Sequence, residues 1–259
     1  MKKTTFRNCI SKHSGSIVVL SIMSQVTTIT FFRFSGFKNK LWAFTNMRNA
    51  GKLKQIAGLT FFKLMGSGRG LGFNAWPDWG VYVLLQVWEN DQAACDFFEN
   101  HEFINECERR SQEMWRLYMH NVKADGMWDG NNPFASSQVQ LNEDTPLAVI
   151  TRATIKWSRL AKFWSFVSIS QRPLKQAKGL IYTKGIGEVP VKQMATFSLW
   201  NSFAAVKAFA YNSAEHKEAI KRTNTLKWYS EEMFARFVPF KSIGRWNGKN
   251  PLPLLDEAS

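Results

Sequence analysis

Apolar and polar positions change their spacing along this chain in an order that occurs twice. From 27 to 34 (TTITFFRF) a run of β-branched and aromatic residues predicts a strand. From 40 to 56 Leu41, Phe44, Met47 and Leu53 recur at helical spacing, and Gly58 ends that helix. Strands follow at 59–65 (LTFFKLM) and 80–88 (GVYVLLQVW), joined by a loop rich in glycine. A long helix is then expected from Asp91, as its N-cap, to about Arg116, and a strand at 117–123 closes the unit. The second half repeats the order: strand 147–155, helix 159–169, strands 180–184 and 193–200, helix 202 to about 227, strand 233–240. Each half reads βαββαβ, a unit that forms an antiparallel sheet with both helices on one face and leaves the other face to be covered. The simplest cover is the sister sheet. The predicted fold is therefore α+β, two tandem ferredoxin-like units with their sheets packed face to face as an intramolecular α-β barrel.

Direct sequence likeness supports two copies. The nonapeptides GMWDGNNPF, from Gly126, and GRWNGKNPL, from Gly244, share five positions, and SQEMW and SEEMF precede them at almost equal distance. The first unit is placed at 26–134 and the second at 147–252, joined by the polar, proline-containing linker 135–146. Residues 1–25 and 253–259 are expected to be tails. The apolar run 17–23 in the first tail falls far short of the roughly 20 residues needed to span a bilayer. It lacks the small-residue spacing of a cleavage site, and Met23 stands as an alternative start.

Composition narrows the possible partners. The 11 Trp and 21 Phe exceed ordinary packing demand and suggest a cleft lined with aromatic surface, and the net charge of +14 favours phosphate-bearing or otherwise acidic partners. Cys9, Cys95 and Cys107 form no CxxC pair and no zinc spacing, so a reducing compartment is the default. Cys95 and Cys107, about 18 Å apart along one helix at its rise per residue, would not bridge each other and are expected to pack.

Several chemistries lack their residues. The stretch GSGRGLGF, containing Gly66, Gly68, Arg69, Gly72 and Phe73, leads into a strand and not a helix, and no GK[ST] follows. It is expected to line a cleft, with Arg69 as an anion contact. No RNP-like strand is present, and sheets packed together would hide the surface on which bases stack, so nucleic acid is not an expected partner. With no HExxH and no G-x-S-x-G, metalloprotease and serine-hydrolase readings have nothing to stand on. His216 is the sharpest single residue, sharing a helix face with Ile220 and Thr223. A lone histidine there is most often a hydrogen-bonded core residue, yet haem iron needs only one imidazole and no spacing motif. Arg222, Lys207 and Lys192 are candidates to meet haem propionates.

Long ordered blocks then carry a resemblance. FFRFSGFKNKLWAF from Phe31, FFKLMGSGRGLGF from Phe61, TRATIKWSRLAKFW from Thr151, GIGEVPVKQMATFSLW from Gly185, HKEAI from His216 and YSEEMFARF from Tyr229 resemble the spheroidene monooxygenase family. These are bacterial carotenoid ketolases similar to dimeric α-β barrel proteins and held to bind haem. The likeness covers roughly 28–252. It implies that His216 is the haem axial ligand. It implies an O2-dependent oxidation of an acyclic carotenoid next to its end, two hydroxylations at one methylene giving a geminal diol that loses water to a ketone. Arg152 and Lys156 are the distal candidates, from polarity within and just after a strand. No flavin, nicotinamide or iron–sulfur motif is present, so electrons are expected from a separate donor such as ferredoxin and its reductase. The expected location is cytoplasmic, peripheral at the inner membrane surface. A non-catalytic haem or hydrophobic-ligand carrier on the same scaffold is the alternative from another class, and RNA binding trails it.

Overall fold

The computed structural model describes residues 24–47, 49–70, 74, 76–170, 177–212 and 228–256. Eight strands carry the fold: β1 (Val26–Phe34), β2 (Leu59–Gly68), β3 (Pro77–Trp88), β4 (Ser111–Gly126), β5 (Leu147–Ile155), β6 (Leu180–Val189), β7 (Gln193–Trp200) and β8 (Tyr229–Gly244). Among the described residues five α-helices accompany them: α1 (Phe37–Asn46), α2 (Asp91–Asn100), α3 (Glu102–Arg110), α4 (Leu160–Ser170) and α5 (Phe203–Asn212).

The strands close into one barrel in the order β1-β3-β2-β6-β7-β5-β8-β4, all neighbours antiparallel. The two four-stranded sheets face each other across the interior and hydrogen-bond edge to edge at two seams. One is long, β4 on β8 from Trp115↔Gly244 to Gly126↔Met233. The other is short, Gly66↔Gly187 and Ser67↔Ile186. Closure leaves no free sheet edge, which removes the template for unwanted strand pairing.

Strand alternation sends one set of side chains inward. Phe31, Val83, Leu85, Trp115, Ile150, Phe197 and Phe237 are each fully buried in a single interior cluster. Rings of Phe31, Trp115, Tyr182 and Trp246 meet at centroid distances of 5.2 to 6.0 Å. The barrel is thus a packed core and not a channel.

The matched nonapeptides are the plugs of this barrel. In each, two residues of positive φ, Asp129 (56°) and Gly130 (81°) or Asn247 (55°) and Gly248 (80°), make a tight turn bracketed by Trp128↔Asn131 or Trp246↔Lys249. Trp128 and Trp246 enter the interior cluster from opposite ends, followed by Phe134 and Leu252. The leading glycines cannot be replaced: Gly126 (φ 100°) and Gly244 (φ 92°) each hold the place where a Cβ would meet a carbonyl oxygen, of Glu232 or Met114, at 2.2 Å.

Some expected boundaries move. The helix expected from 91 to 116 is two helices broken at His101, which has extended backbone and accepts the Phe103 N–H on Nδ1 at 3.2 Å, capping α3. SQEMW belongs to strand β4, whose pairing with β1 and β8 overrides its polar composition. Asn90, not Asp91, caps α2, its Oδ1 accepting from Ala93 at 2.9 Å. The helix at 40–56 resolves into α1 and a short 3-10 turn, Ala50–Leu53. Gly66 and Gly68 are the end of β2 and not loop. Cys107 is free and buried in the first half's outer layer, burial pushing its thiol far up, whereas Cys95 is disulfide-bonded and so is not the simple packing residue expected.

Candidate active site

Outward-facing positions of the two sheets have different fates. In the first half, Phe32, Phe34, Tyr82, Leu84, Trp88 and Tyr118 meet Phe97, Phe98, Phe103, Ile104 and Cys107 of α2 and α3 in one continuous cluster. Trp88 is fully buried, donates to the Thr28 hydroxyl at 2.9 Å and packs 5.2 Å from the Phe97 ring.

In the second half the described residues of the same layer form two small clusters; 171–176 and 213–227, which include most of the helix expected from 202 to about 227, lie outside the described residues. Ile155, Phe163, Met194 and Trp228 gather at one end; Leu147, Val149, Trp200 and Val206 gather at the other. Between them the sheet surface is built of small residues. Thr151, in the middle of central strand β5, is exposed; it pairs with Thr196 and Phe234, and Thr196 pairs in turn with Gly185. One row away Arg236 stands opposite Val149, half-buried, its guanidinium 5.1 Å from the Phe234 ring. Its buried Nε has no hydrogen-bond partner, an arrangement that favours an acceptor brought by a ligand. Sequence reasoning missed Arg236, although alternation in MFARF sets it on the face opposite Met233, Ala235 and Phe237.

The expected site residues scatter. Arg152 points inward, 1% exposed, with Glu231, Glu188 and Asp129 around its guanidinium, Nε lying 3.8 Å from Glu188 and Nη2 3.6 Å from Asp129. Lys63 joins the group by pairing with Asp129 and with Glu188 at 2.5 Å, and the Trp128 indole donates to Glu188 at 2.8 Å. Arg152 therefore ties the Trp128 plug to the barrel, on the opposite side of the sheet from Thr151 and Arg236, and a distal role does not follow from its placement. Lys156 is exposed beyond the end of β5, its backbone N–H donating to Trp228 at 2.9 Å, so the structure does not bring these two distal candidates together. Lys192 lies at the β6–β7 turn with its ammonium 4.6 Å from the Trp157 ring centre, and Lys207 pairs with Glu143. His216, Arg222, Gly72 and Phe73 lie outside the described residues.

Electrostatics follow burial and pairing. Partial burial pushes the Glu231 carboxyl up, but the Gly130 N–H, donating at 2.7 Å, and the Arg152 guanidinium outweigh it and hold the carboxyl below its ordinary range. At the opposite end Arg33 pairs with Glu113 at 2.8 Å, Glu113 accepts the Gly248 N–H at 2.7 Å, and Arg33 lies 4.3 Å over Trp246. The same Arg–Glu–turn device thus serves both ends. This second end is open, with a cavity of about 440 Å³ beside Arg33, Gly70, Asp78, Tyr182, Lys184 and Trp246. Burial pushes the Tyr182 phenol far up, with Arg33 opposing. Arg69 stands next to this cavity, its side chain exposed and its backbone N–H donating to Trp76 at 2.9 Å.

Comparison with known proteins finds close relatives by sequence and distant ones by shape. A spheroidene monooxygenase of Cereibacter sphaeroides is 32% identical over 231 residues, 88% of this chain and 71% of that protein. One from Rhodobacter capsulatus is 33% identical over 229 residues, 88% of this chain and 95% of that protein. No family model matches. Among solved structures, an aldoxime dehydratase in complex with butyraldoxime superposes with a TM-score of 0.56 at 8% identity, covering 84% of this chain and 80% of its own, a likeness of fold alone.

Proposed function

The chain belongs to the spheroidene monooxygenase family and is a monooxygenase; from that premise we propose that it oxidises an acyclic carotenoid next to its end, to the ketone, with haem held against the outer face of the second sheet. The observation that carries this reading is the exposed Thr151 on that layer, together with the buried, unpartnered Nε of Arg236. A flat macrocycle with acidic edges needs a floor of small side chains, apolar walls and a cation. Gly185, Thr196, Thr151 and Ala153 are such a floor, Phe234 and the two end clusters are such walls, and Arg236 is such a cation. In the first half no corresponding space is left, because Trp88, Phe97 and Phe98 fill it.

His216 would hold the haem iron, with Arg222 a candidate for the propionates alongside either Arg236, opposite Val149, or Lys192, beside Ile155 at the other end of β5. Haem bound there would supply the O2-activating chemistry that protein side chains lack. The chain's own task is to hold the end of the polyene on the apolar walls and keep water from the reacting methylene. Thr151 and Thr196, directly opposite each other on β5 and β7, place two hydroxyls on the floor that can hydrogen-bond the hydroxylated product. Electrons come from an external donor such as ferredoxin and its reductase, and the apolar substrate is met at a membrane surface.

Hemin titration of the purified full chain tests the site. A Soret band that saturates at one equivalent is expected, weakened about tenfold in affinity by Arg236→Leu, and turnover with O2, the reductase system and an acyclic carotenoid should yield the ketone. Absence of a saturable Soret band would remove the haem reading.

A further inference from the structure

Exposed apolar side chains on the first half are concentrated at one corner. Phe37, Leu41 and Phe44 stand at i, i+4 and i+7 along α1, one face of the helix, and Phe37 and Leu41 are 80% and 52% exposed. The Phe44 ring meets Trp79 edge-on at 5.3 Å. Trp79 is itself half exposed, and Trp76, three residues earlier on the turn into β3, is 73% exposed. The hydrogen bond from the Arg69 N–H to the Trp76 carbonyl, at 2.9 Å, fastens this turn to the end of β2. Three exposed cations border the patch: Lys38 and Lys40 on α1, and Arg69. None of the three pairs with a carboxylate among the described residues.

A contiguous group of exposed aromatic and aliphatic side chains is not what a surface facing only water keeps. Tryptophan and phenylalanine bordered by unpaired lysine and arginine is the composition of a surface that enters a headgroup layer, where rings lie at the polar–apolar boundary and cations meet phosphate. We propose that this face, with Phe37, Leu41 and Trp76 at its tip, seats the protein on an anionic lipid bilayer. The overall charge of +14 points the same way, since it adds a general attraction to an anionic surface. Among the described residues no helix is long and apolar enough to cross a membrane, so the contact is with one leaflet. The open end of the barrel lies alongside: Lys40, Gly70, Asp78 and Gly80 line the cavity described above. The inference deepens the membrane part of the proposed function, and rests on that reading only for why a bilayer would be sought.

Co-sedimentation of the full chain with vesicles tests it without any turnover. The wild type should pellet with vesicles of equal parts phosphatidylglycerol and phosphatidylcholine, and at least tenfold less with phosphatidylcholine alone. The triple variant Phe37→Ser, Leu41→Ser, Trp76→Ser changes only exposed side chains; it should lose at least tenfold in partitioning while keeping the wild-type circular dichroism. Lys38→Glu with Arg69→Glu should weaken binding to the anionic vesicles specifically. Trp157→Ser, an equally exposed aromatic on the second half, is the control and should leave binding unchanged. Wild-type partitioning by the triple variant, or loss in the Trp157 control, overturns the assignment. So does light scattering that shows a lipid-free dimer which the triple variant splits, because the face would then cover a second copy of the chain. None of these results touches the haem titration, so either reading can fail alone.

Discussion

The two halves of the barrel share strand order, turn geometry and plug, yet their outer layers differ. Behind the first sheet, Trp88, Phe97, Phe98 and Tyr118 form an unbroken aromatic layer with α2 and α3. Behind the second, the described residues form two small clusters beside a strip of glycine, threonine and alanine on which Thr151 is exposed. The difference teaches where this fold keeps its stability. The interior cluster and the two seams belong to both halves at once, whereas the aromatic buttress around Trp88 is built with α2 and α3 of the first half.

Breaking the buttress should have the largest effect. Trp88→Ala removes a fully buried ring and its bond to Thr28 and should cost about 3–5 kcal/mol, whereas Thr151→Ala, at an exposed position, should stay within about 0.5 kcal/mol. Denaturant unfolding of both variants measures the contrast directly. Comparable losses in both would mean that Thr151 is packed in solution.

The plugs offer a second contrast. Arg152→Ala strips a buried cation from Glu231, Glu188 and Asp129 and should cost about 3 kcal/mol, while Arg33→Ala, at the open end with its side chain 31% exposed, should cost about 0.5 kcal/mol. If Arg152 acted on substrate instead, its variant would keep its denaturation midpoint and lose turnover.

The proposed haem site gives the histidines of the two halves different expected effects. His216→Ala should abolish or displace the Soret band of the hemin-loaded chain. His101→Ala should leave it in place while losing about 1 kcal/mol for the α3 cap, most of it recovered by His101→Asn. Loss of the band in the His101 variant would move the site to the first half.

Acid should produce the smallest effect. The Glu231 carboxyl is held below its ordinary value of 4.5, so its contribution is fully present above that pH and fades as pH falls through the lower folded value. The stability difference between wild type and Glu231→Gln should therefore shrink below about pH 4, and unchanged spacing of their acid unfolding curves would show that the carboxyl is not held low in the folded protein.

Local pattern was enough for the elements themselves. β-branched and aromatic residues in TTITFFRF and MATFSLW marked strands whose inward residues Phe31, Phe197 and Leu199 are fully buried, because such side chains fit a pleated, half-buried surface. The nonapeptides carried their turns just as locally, since Gly130 and Gly248 supply the positive φ that a two-residue turn demands. Blocks such as TRATIKWSRLAKFW and GIGEVPVKQMATFSLW were long enough to carry the family. What tertiary structure decided concerns pairing at a distance. SQEMW has no strand alternation of its own and became β4 because β1 and β8 offered backbone partners on both sides. Helix period could not show the break at His101, which depends on where α2 and α3 must each bury an apolar face. Arg152 looked like a polar residue free to act on a ligand until three carboxylates from β6, β8 and the Trp128 turn converged on it. The exposure of Thr151 was equally invisible, because a threonine in a strand reads the same whatever packs beside it.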